Sequence, residues 1–305
     1  MTDKSMEVML GKLKLKNPVL TASGTAGYGA ELAEFFDLSR LGALVMKGIS
    51  LEPWQGNPVP RITETPCGMI NSIGLQNVGL KVFLEDKLPF AKKWDVPIIA
   101  NIIGTSMDEY VKLASALDGA GVEGIELNVS CPNIKKGGIS FGRDLAVFAR
   151  LVGAVRKKIK KAVLIVKLTP DAPVAEFAAA AEASGADAVS LVNTVPAMAI
   201  DVNTRRPLIK NMIGGLSGPA IKPIAVRMVY QAAKAVKIPV IGMGGITDGA
   251  DAVEFMLAGA SAVAVGTAIF RDPLALLKVI DGIAAYMDKH AISRASGLTG
   301  AMITG

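Results

Sequence analysis

The stretch Asn128-Val129-Ser130-Cys131-Pro132-Asn133 places one thiol between two carboxamides and beside a hydroxyl. Pro132 biases Cys131 toward extended backbone and stops helical continuation. The amides and the serine add neutral donors and acceptors close to a nucleophile or base. The apolar run Gly124-Ile125-Glu126-Leu127 precedes it, and the glycine-rich Lys135-Lys136-Gly137-Gly138-Ile139-Ser140-Phe141-Gly142 follows. A cysteine after a strand is ordinarily a small buried hydrophobe, so its chemistry depends on its company. Lys47 and Lys167 close the runs Leu44-Val45-Met46 and Leu164-Ile165-Val166, a placement that aims an ammonium into a cleft. Such a lysine pairs with a substrate carboxylate, stabilises a reduced flavin or forms a Schiff base, and spacing does not choose among these. Asn101, Asn128 and Asn193 end three further runs; together their amides suit a planar ring with alternating N–H and C=O groups. Gly242-Met243-Gly244-Gly245-Ile246-Thr247 and Gly266-Thr267 let backbone N–H groups approach a phosphate at a helix N-terminus.

These residues need a scaffold that brings many strand ends to one place. Short β-branched runs at 18–22, 43–47, 97–101, 124–129, 163–168, 188–193, 239–243 and 262–266 alternate with helical patterns. The helices are expected near 29–38, 78–93, 107–119, 143–158, 173–184, 219–236, 249–258 and 273–286. Ser106-Met107-Asp108-Glu109 reads as a capping box, Pro173 suits a first turn, and Asp248 and Asp272 suit caps. The alternation predicts a (β/α)8 TIM barrel of the α/β class, a single domain over residues 1–305, rather than a doubly wound open sheet. Two connections, 50–77 and 194–218, are too long for ordinary βα loops, and long ordered loops are usually functional. Both leave strand C-terminal ends, so they belong on the face that carries the candidate residues.

Composition narrows the classes. The chain has 305 residues, 51% of them hydrophobic and only 5% aromatic, which calls for an aliphatic core of buried parallel strands. No charge-free apolar run reaches the roughly 18 residues of a membrane span, and the first residues show no signal-peptide pattern. A soluble, cytoplasmic protein is expected. The two cysteines, Cys67 and Cys131, and the one histidine, His290, form no metal-ligand spacing, so no metal site is expected. Nor can two thiols hold a four-cysteine iron-sulfur cluster. The densest basic run, Arg156-Lys157-Lys158-Ile159-Lys160-Lys161, sits at an expected helix C-terminus and lacks interleaved aromatics, against a nucleic-acid site. No G-x-G-x-x-G lies between strand and helix, so the chain is not expected to carry its own dinucleotide domain.

The cysteine segment, with its Lys-Lys-Gly-Gly-Ile-Ser-Phe-Gly continuation, resembles the catalytic loop of class 1B dihydroorotate dehydrogenases, in their FMN-bearing catalytic subunit. Asn71-Ser72-Ile73-Gly74-Leu75-Gln76-Asn77, Met198-Ala199-Ile200-Asp201 and Gly214-Gly215-Leu216-Ser217-Gly218-Pro219-Ala220-Ile221-Lys222-Pro223 are similar too, so the likeness covers nearly the whole chain. The resemblance implies that Cys131 is the catalytic base. It implies that orotate meets Lys47, Asn71, Ser72, Ile73, Gly74, Leu75, Asn128, Asn193 and Thr194. FMN would contact Ser23, Lys47, Gly48, Asn101, Asn128, Lys167, Val192, Gly218, Gly244, Gly245, Gly266 and Thr267. It also implies an iron-sulfur flavoprotein partner that carries FAD and passes electrons to NAD, in a heterotetramer of two catalytic and two partner subunits. The main rival within the family is a class 1A homodimer linked to fumarate, and the lysine-glycine-glycine loop favours 1B. Outside it stand a Schiff-base barrel using Lys47 or Lys167, and a noncatalytic phosphate-ligand sensor in which Cys131 is dispensable.

Overall fold

The computed structural model describes residues 4–129 and 141–304. Cys131 and the rest of its loop up to Ser140 lie outside them. Eight parallel strands form one sheet in the order Val19–Thr21, Ala262–Val265, Val240–Met243, Ala188–Leu191, Val163–Lys167, Gly124–Asn128, Ile98–Ile102, Leu44–Val45. All eight expected strands are therefore present, and the last in this order lies against the first. A parallel bridge from Leu20 to Ala43 and the bond from Gly42 N–H to the Val19 carbonyl (2.9 Å) join them. The Thr21 hydroxyl extends the seam, donating to the Val45 carbonyl at 2.9 Å and accepting from the Val45 N–H at 2.8 Å. A side chain thus satisfies buried backbone groups that a longer ladder would have paired. The sheet closes as a barrel, and the open-sheet alternative is excluded.

The strands are buried along their whole length, as the aliphatic composition requires. Helices Met107–Ala120, Leu145–Arg156, Val174–Ala183, Lys222–Ala235, Gly249–Leu257 and Ala275–Lys289 cover the outside. Ser106 caps the first of these by accepting from Glu109 N–H. The reciprocal half of the expected capping box differs: the Glu109 carboxylate takes Thr105 N–H and Oγ1 instead. The helix expected at 29–38 divides into Ala30–Ala33 and a 3-10 turn at Leu38–Arg40, because Asp37 is extended and its carboxylate starts the second turn on Ser39 N–H. The segment expected at 78–93 contains a π-helical turn, Phe83–Lys87, between Gly79–Val82 and Leu88–Ala91. Pro89 follows that widened turn, and proline has no N–H to continue an i→i−4 ladder.

The two long connections are not loops. Ile62–Thr65 and Gly68–Asn71 from the first pair with Ile213–Ser217 and Val195–Met198 from the second, giving a four-stranded antiparallel sheet beside the barrel mouth. The first excursion is tied at its base by Asn77, whose Oδ1 accepts from Ser50 N–H (3.2 Å) and whose Nδ2 donates to Ser50 Oγ (2.8 Å). At the opposite end of the barrel, a hairpin of Val8–Leu10 and Leu13–Leu15 buries Leu10 and Leu15. No helix among the described residues is long and apolar enough to cross a membrane.

Candidate active site

Period-two geometry makes one polar layer at the strand C-termini. Asn101 is in register with Glu126, and two residues on, Asn128 with Lys167 and Lys167 with Ser190. Residues in register share a face, so five polar side chains from four adjacent strands converge. All five are buried in a wall of Val, Ile and Leu. The Glu126 carboxylate accepts from Asn101 Nδ2 at 2.6 Å and from Ser190 Oγ at 2.7 Å. Lys167 Nζ stands 3.9 Å from Glu126 and donates to Ser23 Oγ at 2.9 Å. Ser23 also lies 3.4 Å from Asn101 Nδ2, which links the first, third and fifth strands. Burying a charged pair costs several kcal/mol of desolvation, so such a pair is weak evidence of stabilisation and better evidence of a task.

Gly48 meets this cluster directly, since a Cβ there would come within 2.8 Å of Asn101 Oδ1. Lys47 leaves the barrel ladder, its N–H turning to the Gly27 carbonyl at 2.8 Å. Burial, and then the nearby Arg61 guanidinium, lower the Lys47 pKa, while Glu31 partly opposes them. Arg61 itself belongs to the first excursion, where it donates to Gln76 Oε1 (2.5 Å) and the Asn57 carbonyl (3.3 Å). Those bonds hold the 71–75 segment against the sheet: Asn57 N–H donates to the Ile73 carbonyl and Asn57 Nδ2 to the Ser72 carbonyl, both at 2.9 Å. The Ser72 hydroxyl is buried and has no hydrogen-bond partner among the described residues. Asn71 Nδ2 reaches the Gly215 carbonyl (3.4 Å), and a Cβ on Gly215 would collide with the Thr194 hydroxyl, so the two excursions interlock. Asn193 Oδ1 accepts from Thr194 N–H at 2.8 Å.

The glycine group forms the other side of the mouth. The backbone of Gly245 packs on Gly218, where an added Cβ would lie 2.8 Å from the Gly218 carbonyl oxygen. Gly244 backs onto Val192, and Gly266 onto Ala22. Gly244 and Gly245 have φ of 126° and 80°, conformations that favour glycine. Among the described residues, the N–H groups of Gly244, Gly245, Gly266 and Thr267 enter no backbone hydrogen bond. The N-terminus of Gly249–Leu257 is already capped by Asp248, which accepts from Asp251 N–H at 3.0 Å, and Asp251 takes Thr247.

Every named site residue except Cys131, which lies outside the described residues, is thus at the strand C-termini or on the excursions beside them. The stems of the cysteine segment are fixed. Tyr110 Oη donates to the Asn128 carbonyl at 2.7 Å and its ring packs edge-on against Phe141. Sequence reading missed Glu126, Ser190, Arg61 and Tyr110 as site residues. Glu126 carried a usable signal, a carboxylate inside a strand that is otherwise apolar. Arg61 and Tyr110 carried none, because their relevance arises only from contacts across the fold.

The model of the dihydroorotate dehydrogenase family matches residues 5–287. The chain belongs to the dihydroorotate dehydrogenase family. A relative from Thermoanaerobacter pseudethanolicus, the catalytic subunit of dihydroorotate dehydrogenase B (NAD(+)), is 54% identical over 299 residues, 98% of this chain and 99% of its own. The subunit of the same name from Alkaliphilus oremlandii is 53% identical over 96% of this chain and 97% of its own. The fold is similar to that of a dihydroorotate dehydrogenase from Eimeria tenella, solved with ferulenol, with a TM-score of 0.82 at 22% identity, covering 97% of this chain and 88% of that one. Within this family frame, the polar layer, the glycine group and the interlocked excursions occupy one end of the barrel.

Proposed function

We propose that the chain is the catalytic subunit of an NAD-linked dihydroorotate dehydrogenase, which oxidises dihydroorotate to orotate in de novo pyrimidine synthesis. The observation that carries substrate and reaction is the 54% identity, over almost its full length, to a protein of that name. The whole chain is read as one FMN-binding unit. The residues fit a phosphorylated flavin: open loop amides at Gly244, Gly245, Gly266 and Thr267 suit the phosphate, and glycines at 48 and 218 let the backbone lie against Asn101 and Gly68 more closely than a Cβ would allow. Ser23, Lys47, Asn101, Asn128, Lys167 and Val192 complete the set that would hold FMN. When bound, FMN supplies the acceptor for the hydride that leaves C6 of the substrate.

The chain's own residues do the rest. Lys47 pairs with the substrate carboxylate, and the burial that lowers its pKa strengthens that attraction by excluding water. The 71–75 segment, Asn128, Asn193 and Thr194 bind the ring, and the unpartnered Ser72 hydroxyl offers a ready donor. Cys131 takes the proton from C5. The electrons pass to NAD through an iron-sulfur flavoprotein that carries FAD, in a cytoplasmic heterotetramer of two catalytic and two partner subunits. The purified chain should be yellow and bleach on anaerobic addition of dihydroorotate, and reduce NAD only once the partner is added. A colourless chain that ignores FMN would overturn the reading; turnover with fumarate and no partner would reassign the acceptor.

A further inference from the structure

We propose that Glu126 is a positioning residue that fixes which face of the Asn101 amide points into the mouth. This rests on the FMN-binding reading of the site. The carboxylate of Glu126 is an acceptor on both oxygens, and its Oε2 lies 2.6 Å from Asn101 Nδ2. The NH2 of Asn101 is therefore committed to Glu126, and its carbonyl oxygen turns the other way, toward Gly48. A free asparagine presents donor or acceptor with equal ease; this one presents an acceptor.

Glu126 is itself held. Ser190 Oγ donates to its other oxygen at 2.7 Å, and both residues are buried at the closed end of the layer. A purely structural ion pair with Lys167 is the competing account. The distances disfavour it, since Lys167 stands 3.9 Å away and gives its hydrogen bond to Ser23 at 2.9 Å. The short bonds of Glu126 go to neutral donors. Its charge still balances the Lys167 ammonium, so the layer is neutral before any ligand enters.

Glu126→Gln is nearly isosteric and can either donate to or accept from Asn101, which frees the amide to flip and removes one buried negative charge. The FMN dissociation constant, read by flavin fluorescence, should rise on the order of tenfold, the loss of one charge-assisted bond. The midpoint potential of the bound flavin should move to more positive values, because reduction adds negative charge where one carboxylate is now missing. A residue that only packs would move neither. The double variant Asn101→Asp with Glu126→Gln restores the hydrogen bond and the charge with donor and acceptor exchanged, and still turns an oxygen toward Gly48. It should bind FMN more tightly than Asn101→Asp alone, and it decides the matter if Glu126→Gln does not fold. Unchanged affinity and potential in Glu126→Gln, or no recovery in the double variant, would overturn the proposal while wild-type FMN binding leaves the functional reading standing. A wild-type chain that bound no FMN would overturn both.

Discussion

Lys47 and Cys131 set the pH behaviour expected of the reaction. Burial and Arg61 make the Lys47 ammonium lose its proton at lower pH than an ordinary lysine. If the charged form binds the substrate carboxylate as proposed, KM for dihydroorotate should be low at neutral pH and rise as pH climbs through the lowered value. A KM independent of pH up to the ordinary lysine range, near 10.4, would remove Lys47 from that role. A thiol with a reference pKa of about 8.5 is mostly protonated at neutral pH, so kcat should climb with pH as thiolate forms. Cys131→Ser replaces it with a far weaker acid and should lower kcat on the order of 10² or more at neutral pH. Stopped-flow reduction of the flavin isolates this step, and near-normal rates in the variant would sink the assignment.

At the scale of elements, the second barrel strand is two residues long, and beyond the Leu20–Ala43 bridge one hydroxyl sews it to the first. Thr21→Val keeps the shape but leaves Val45 N–H and its carbonyl buried without the Thr21 partner. Each unsatisfied group costs about 1–3 kcal/mol, so the variant should be destabilised by at least that much in denaturant unfolding. Lys47 follows the same strand by two residues, so weaker substrate binding should accompany the lost stability. A variant as stable as the parent would mean that the seam is held elsewhere. The antiparallel sheet of the excursions depends likewise on close approach, with Gly68, Gly215 and Gly218 lying where any Cβ would strike the facing chain.

For the whole molecule, a ligand that binds only the folded barrel stabilises it by about 2.7 kcal/mol at a hundredfold excess over its dissociation constant. Saturating FMN should therefore raise Tm by several degrees, at roughly 2–4 °C per kcal/mol for chains of about this size. Riboflavin, which lacks the phosphate, should raise it much less, because the Gly244, Gly245, Gly266 and Thr267 amides would have no anion to meet. Equal shifts from the two ligands would place the phosphate elsewhere.

The sequence by itself determined the eight strands, most of the helices between them and the strand-end positions of Lys47, Asn101, Asn128 and Lys167. These follow from local periodicity and from the fact that a parallel barrel buries its strands outright. It also carried the family, through long motifs such as Asn71 to Asn77. Tertiary structure alone decided three things. The pairing of Gly68–Asn71 with Ile213–Ser217 spans more than a hundred residues and leaves both strands half-exposed, so no buried period marks them. How the barrel seam is completed, by the Thr21 hydroxyl beside the Leu20–Ala43 bridge, depends on a partner 24 residues along the chain. Glu126 reads in the chain as an interruption of an apolar run; only the register of adjacent strands reveals that it faces Asn101. A carboxylate's task inside a barrel is set by what stands across the ladder, and that is not written along the chain.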